Sequence, residues 1–385
     1  MTSSFTDLDS SATTPVSERV LAAMLPWFRE HYANPGSPSP AGERAKNAVS
    51  AAREEIAKFL GAEPREILFT SGGTESNQTA IRSGLRARPG RRKILVSAIE
   101  HSSILGLAPD LRSQGAEVLV IPSRSDGRID PGEVSRLIDH ETALVAVMWV
   151  NNETGAINPI REIGEIVHSA GALFHCDGVA AVGKVPVNLG TVGADFLSLS
   201  GHKIHGPKGT GVLFARHGES FHPLMPGSQE RKRRGGTENV PGIVGLGEAA
   251  RESGEFLALP AGTMERLRDR LEEGVFSLCP EARRNGPGPR EFRAPHIANL
   301  RFPGTPGEKI LIDLSREGIY VSMGSACASG SMEPSHVLLS MGLSREEALS
   351  SLRFSLGRGT VPGEIERTLS ALSRILGRKP ERRVS

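Results

Sequence analysis

Cysteine is scarce in this sequence: Cys176, Cys279 and Cys327 are the three in 385 residues. Three scattered cysteines build neither a disulfide framework nor a close metal-ligand cluster, so no metal site is expected and a reduced, cytoplasmic setting is. Aromatic residues make up 4% of the chain and do not interleave with the basic runs ERKRR (230–234) and GRKPERR (377–383), which excludes a stacking platform for single-stranded nucleic acid. Each basic run reads as a solvated loop or tail. With a formal net charge of +2, the chain carries no strong electrostatic bias toward nucleic acid of any kind. Its longest apolar stretch, around ALVAVMWV (143–150), is far too short to span a bilayer. The opening MTSSFTDLDSSATTP holds two aspartates and no apolar core, unlike a secretory or transit peptide.

What the chain does have is alternation. EILFT (66–70), KILVS (93–97), EVLVIP (117–122), TALVAVMWV (142–150), ALFHCD (172–177), FLSLS (196–200) and GVLFAR (211–216) read as strands. Helix-length segments at 75–87, 102–113, 131–139 and 159–170 separate the earlier ones. Such alternation predicts an α/β domain, its mostly parallel sheet covered on both faces, with ligands beyond the carboxyl ends of the strands. A chain of this length exceeds one ordinary core. A second, small α+β module is expected to begin near HIANLRF (296–302), run through a helix at 307–317 and return as SLRFSL (351–356). The expected division is 16–258 for the large domain, with 1–15 and 259–385 forming the small one.

Three strand ends carry candidate chemistry. In FTSGGTESN (69–77) two glycines permit close backbone approach before a helix whose unpaired N–H groups suit a phosphate, although a plain glycine turn reads as well. HCDG (175–178) places Asp177 at the end of an apolar strand, where a carboxylate caps the next turn or holds a cation such as a protonated pyridine nitrogen. SGHK (200–203) supplies Ser200, His202 and Lys203, and a lysine of lowered pKa can form a Schiff base with an aldehyde. Together a phosphate cradle, an acid and a lysine are the parts that a pyridoxal phosphate site needs.

With these and further stretches the sequence resembles the pyridoxal-phosphate-dependent cysteine desulfurases, of the NifS and IscS kind, in the class V aminotransferase group. The matching stretches are SATTPV (11–16), NPGS (34–37), PREILFTSGGTESN (64–77), EHSSI (100–104), VNNETG (150–155), SGHKIHGPKG (200–209), RRGGTEN (233–239), GSACASGSMEPSHVL (324–338) and SLRFSLGR (351–358). The resemblance implies a fold-type I transferase, a homodimer with a large, mostly parallel seven-stranded sheet domain and a small α+β C-terminal domain. It implies pyridoxal 5'-phosphate on Lys203, Asp177 on the ring nitrogen, His101 stacked on the ring, and Gly73, Thr74, Ser200 and His202 on the phosphate. Thr237 is expected to reach that phosphate from the partner subunit, and Asn152 to lie near the ring hydroxyl. Arg353 is expected to clamp the substrate carboxylate, and Asn34, in NPGS, to bind substrate. Cys327 would be the nucleophile that accepts sulfur from L-cysteine and passes it to an acceptor protein such as an iron–sulfur scaffold. Its run of small residues, GSACASGS, predicts a loop that can move. Cys176 and Cys279 read as ordinary thiols.

The sequence departs from the family pattern at Ala180, where relatives carry a glutamine that hydrogen-bonds the ring hydroxyl. Its loss is expected to alter the cofactor's absorption but not its attachment. NPGSPSPAG lacks a common histidine, GSQE replaces a glycine-rich run, and the C-terminal tail leaves open whether scaffold docking is kept. A selenocysteine lyase on the same fold, and a non-catalytic partner that retained the fold, are the competing readings.

Overall fold

The computed structural model describes residues 5–259, 262–324 and 333–377. Seven strands form its main sheet: β1 (Ile67–Thr70), β2 (Lys93–Ser97), β3 (Glu117–Ile121), β4 (Thr142–Ala146), β5 (Leu173–Asp177), β6 (Phe196–Ser200) and β7 (Gly211–Ala215). Their spatial order is β1-β7-β6-β5-β4-β2-β3. β7 runs antiparallel to both its neighbours, while the β2–β3, β2–β4, β4–β5 and β5–β6 pairs are parallel. Every residue of β2, β4, β5, β6 and β7 is buried, as a sheet covered on both faces requires. β3, at the edge, leaves Glu117 and Val120 exposed. Fully burying each Val, Leu, Ile or Phe of these strands stabilises the fold by about 1.5–3 kcal/mol. His175 is buried in β5 as a neutral ring: burial lowers its pKa to about 3, and Nε2 meets Ser198 Oγ at 3.0 Å.

A smaller hydrophobic cluster gathers Leu8, the helices Thr263–Leu278, Gly307–Arg316 and Pro362–Ile375, and the antiparallel strands Ile297–Arg301 and Ser351–Ser355. The N-terminal segment belongs to it: Thr6–Asp7 pairs in parallel with Ile319–Tyr320, and the Ser10 N–H donates to Ser355 O at 3.0 Å. Among the described residues no helix is long and apolar enough to cross a membrane.

Two predicted elements differ from the fold. The helix expected over 102–113 is two, Ser102–Leu105 and Ala108–Ser113. Pro109 has no N–H and its ring collides with the carbonyl four residues back, so one helix cannot run through it. The strand expected over 142–150 ends at Ala146, yet its continuation stays tied to β5, with Val147 N–H on His175 O (3.1 Å) and Trp149 N–H on Asp177 O (3.0 Å).

Candidate active site

The carboxyl ends of β5 and β6 lie side by side in the sheet and deliver one functional group each. β5 ends in Asp177. Its Oδ1 accepts the Val179 N–H at 2.9 Å and its Oδ2 the Asn77 amide at 2.7 Å. Burial nonetheless pushes this carboxyl above its ordinary range, while the neighbouring His101 and Lys203 pull it back. Such a group stays ionised best with a cation against it. β6 ends in Ser200 and enters one tight turn, Gly201–Lys203. Lys203 Nζ donates to the carbonyls of Ser11 (2.5 Å) and Ala12 (2.8 Å), and burial, then Arg353, lowers its pKa to about 8. About a tenth of this amine is therefore neutral, and nucleophilic, at pH 7, far more than for an ordinary lysine.

The helix Gly73–Ala87 starts beside these two ends, and among the described residues no side chain caps it at Gly72. A Cβ on Gly211 would meet Gly72 Cα at 2.6 Å, and one on Gly73 would meet Val179 Cγ2 at 2.8 Å. Glycine at both positions lets strand, turn and helix close together with the backbone bare toward the space in front. That space is a cavity of about 560 Å³. Gly73, Thr74, Asp177, Ser200, His202 and Lys203 line it, as do His101, Asn152, Ala180 and Arg353. Burial, followed by Lys203 and Lys208, lowers the His202 pKa to about 4, so it is a neutral ring, its Nδ1 3.1 Å from Thr13 Oγ1. His101 Nδ1 accepts the Ser103 N–H at 3.1 Å, which leaves Nε2 as the nitrogen able to exchange a proton.

Two expected residues are not brought to this cavity. Asn34 sits on an exposed turn with its Oδ1 turned back onto the Gly36 N–H at 2.8 Å. Its side chain serves its own backbone, and the residue is not among those lining the cavity. Thr237 is exposed and lines a separate pocket of about 70 Å³ with Ser71, Thr210 and Arg234. Arg353 is at the cavity, but its fork is engaged: Nη2 pairs with Asp9 Oδ1 at 2.6 Å and Nη1 donates to Asn152 O at 3.1 Å. Cys327 lies outside the described residues. Glu100, Lys184 and His296, each buried at the cavity wall, were assigned no role from the sequence. Burial, then Asp177, raises the Glu100 pKa to about 8, so it is mostly protonated at neutral pH.

Comparison with known proteins agrees with this geometry. The model of the family "Aminotransferase class-V" matches residues 7–368. A cysteine desulfurase of Nostoc sp. is 45% identical over 96% of this chain and 92% of its own length. The chain belongs to the class-V aminotransferase family, among its cysteine desulfurases. The cysteine desulfurase NifS of Azotobacter vinelandii is 44% identical over 94% of this chain and 90% of its own. A solved NifS-like protein superposes with a TM-score of 0.90 at 36% identity, over 97% of this chain and 99% of that one. The chain is an enzyme of a pyridoxal-phosphate-dependent family.

The cavity fits that cofactor. Among the described residues no cation bonds Asp177 directly, so it would meet the ring nitrogen, the helix start at Gly73 would meet the phosphate, and Lys203 would take the aldehyde.

Proposed function

We propose that this cysteine desulfurase converts L-cysteine to L-alanine with pyridoxal phosphate on Lys203, and delivers the sulfur as a persulfide on Cys327. The observation that carries the assignment is the meeting of Asp177, Lys203 and the helix start at Gly73 in one cavity. Bound there, the cofactor supplies an electron sink for the bonds at the substrate α-carbon. Asp177 keeps the sink's nitrogen protonated, and its own position is held by Asn77 and Val179. Lys203, whose amine has its pKa lowered to about 8, would accept the α-proton of the substrate. His101 Nε2 is the second proton carrier. The Cys327 thiolate attacks the substrate sulfur: a sulfur–sulfur bond forms, the carbon–sulfur bond breaks, and the β-carbon takes up a proton. Cysteine is thereby reduced to alanine and the enzyme thiol oxidised to the persulfide, so no outside oxidant enters.

The functional unit in this reading is a homodimer. Thr237 is exposed and off its own cavity, which suits a residue completing the site of a neighbour. Leu21, Leu25, Phe28 and Tyr32 form an exposed apolar row, 43–79% accessible, that a second copy would cover. The acceptor of the sulfur is a protein or thiol, as in iron–sulfur cluster or thio-cofactor assembly.

The test is turnover of L-cysteine by the reconstituted protein with a thiol reductant. Alanine and sulfide are expected in equal amounts. Cys327→Ala keeps the yellow cofactor and stops sulfide release, and Lys203→Ala stops both covalent cofactor attachment and turnover. A protein that stays colourless after cofactor addition refutes the assignment.

A further inference from the structure

Cys327 lies between Gly324 and Ser335 in the sequence, and one carboxylate, that of Glu153, meets both of these residues. Ser335 Oγ donates to Glu153 Oε2 and accepts the Leu338 N–H at 3.2 Å, capping the helix His336–Ser340. At Gly324 a Cβ would run into the same Oε2 and lie 2.9 Å from Glu153 Cδ, and φ there is +101°. The carboxylate thus packs on bare backbone in a conformation that suits glycine. Glu153 is 3% exposed, and both it and Gly324 line the cavity. Its own backbone is fixed from two directions: its N–H donates to Asn151 Oδ1 at 3.0 Å, and its carbonyl accepts the Asn299 amide at 3.1 Å. Asn151 Nδ2 in turn donates to Ile99 O at 3.2 Å, while Asn299 stands in the strand Ile297–Arg301 of the smaller cluster. The two anchored residues are tied onward to the site. Gly324 N–H donates to Ser322 Oγ at 3.1 Å, and Ser322 exchanges backbone hydrogen bonds with Arg353 at 3.1 and 2.6 Å. His336 Nε2 lies 3.0 Å from the carbonyl of Glu100, next to His101. Covalent reach sets the scale: three residues of chain span at most about 11 Å, so the position of Gly324 bounds how far Cys327 can stand from the cavity.

We propose that Glu153 is a positioning residue for sulfur transfer, its carboxylate holding Gly324 and Ser335 together so that the Cys327 thiolate is presented to the substrate sulfur. The assignment rests on the cavity being the desulfurase site. Bringing two points eleven residues apart to one place costs chain entropy, and a contact that holds them there removes that cost from each turnover. A nucleophile delivered from a fixed base attacks at high effective concentration, and slackening the base slows the attack without slowing the steps before it. Binding of the amino acid and removal of its α-proton, which need Lys203 and not Cys327, supply the internal reference.

The experiment uses the holoenzyme as wild type, Glu153→Ala and Glu153→Gln. Sulfide release from L-cysteine measures the whole cycle. Exchange of the L-alanine α-proton in D2O, followed by NMR, and the Kd for L-alanine, from cofactor absorbance, measure the part that Cys327 does not enter. Glu153→Ala is expected to lower kcat for sulfide release at least tenfold, with alanine exchange and alanine Kd changed less than threefold. Glu153→Gln, whose amide oxygen still accepts from Ser335, recovers most of the loss. If the Ala variant fails to retain cofactor, Ser335→Ala cuts the same anchor from the other side and is expected to show the same split. Unchanged sulfide release, or equal losses in sulfide release and alanine exchange, overturns the assignment. Wild type that makes no alanine from cysteine instead refutes the proposed function itself.

Discussion

Glu230→Ala is expected to lower the melting temperature of the apo-protein by about 4–6 °C. The Glu230 carboxylate takes both terminal nitrogens of Arg53, at 2.9 and 2.6 Å, and also accepts the Phe69 N–H at 3.0 Å. Arg53 in turn donates to Ile67 O at 2.7 Å, and its guanidinium lies 4.5 Å from the Phe69 ring centre. The two side chains are only 10% and 4% exposed, so removing the carboxylate strands a guanidinium out of water. Breaking a buried pair in this way costs about 3–5 kcal/mol. For a chain this long, at about 2.1 cal/mol/K of unfolding entropy per residue, 1 kcal/mol moves the midpoint by roughly 1.2 °C. The backbone argues in the same direction. Glu230, Arg231 and Lys232 have φ of +47°, +58° and +65°, a left-handed run unfavourable for side chains that the ion pair holds in place. The assay is a thermal melt by circular dichroism, with Arg53→Met/Glu230→Ala as the companion. Removing both partners is expected to recover at least half the loss, because no charge is then left buried alone. A single variant melting within 1 °C of wild type, or a double variant as unstable as the single, refutes the reasoning.

Lys232→Gly removes an exposed side chain from a left-handed backbone; relief of strain, offset by glycine's larger unfolded-state entropy, should stabilise by about 0.5 kcal/mol in urea titration. Covalent cofactor uptake by the apo-protein should rise about tenfold per pH unit below pH 8 and level off above it, because the Lys203 amine must lose its proton to react; a flat stopped-flow profile from pH 6 to 9 contradicts this. Glu100 has a folded-state pKa of about 8, above its unfolded value, so it contributes stability at low pH that is lost as pH rises from about 4.5 through 8. Glu100→Gln, which imitates the protonated form, should therefore match wild type at pH 5 and melt higher, by at least about 2 °C, at pH 9. Asp177→Asn should keep the fold but lose the charge that holds the ring nitrogen protonated, with a shifted cofactor absorption and activity down by at least about a hundredfold, or about 2.7 kcal/mol of barrier.

The strands of the main sheet were legible because each is a short β-rich run bounded by turn residues, and because burial on both faces leaves little room for other residue types. Asp177 and Lys203 were legible as polar residues at the ends of apolar strands, and their pairing drew on the glycine turn at 72–73. Lys184 and His296 were not legible. A single charged residue between apolar neighbours looks the same in sequence whether it points to solvent or into a cavity, and only tertiary contacts distinguish the two. Asn34 sits in a recognisable stretch, yet its side chain closes its own turn. The left-handed run at 230–232 gave no warning either, since its glutamate, arginine and lysine read as an ordinary solvated charge cluster until the buried partner, Arg53, is seen 177 residues away.

The carbonyls that hold the Lys203 amine belong to Ser11 and Ala12, and that segment is stitched to residues 353–355. Ser11 N–H donates to Ser355 Oγ at 2.9 Å, and Ser355 N–H to Leu8 O at 2.6 Å, across 344 and 347 residues of chain. During synthesis at the ribosome, residues 8–12 emerge hundreds of residues ahead of their partners and have no place to dock until those follow. The reactive amine thus acquires its final surroundings only when the smaller hydrophobic cluster, which itself needs Leu8 and Ser351–Ser355, assembles. Cofactor capture is thereby tied to completion of the chain, and a nascent or truncated product lacking 351–355 would meet the cofactor with its lysine unrestrained.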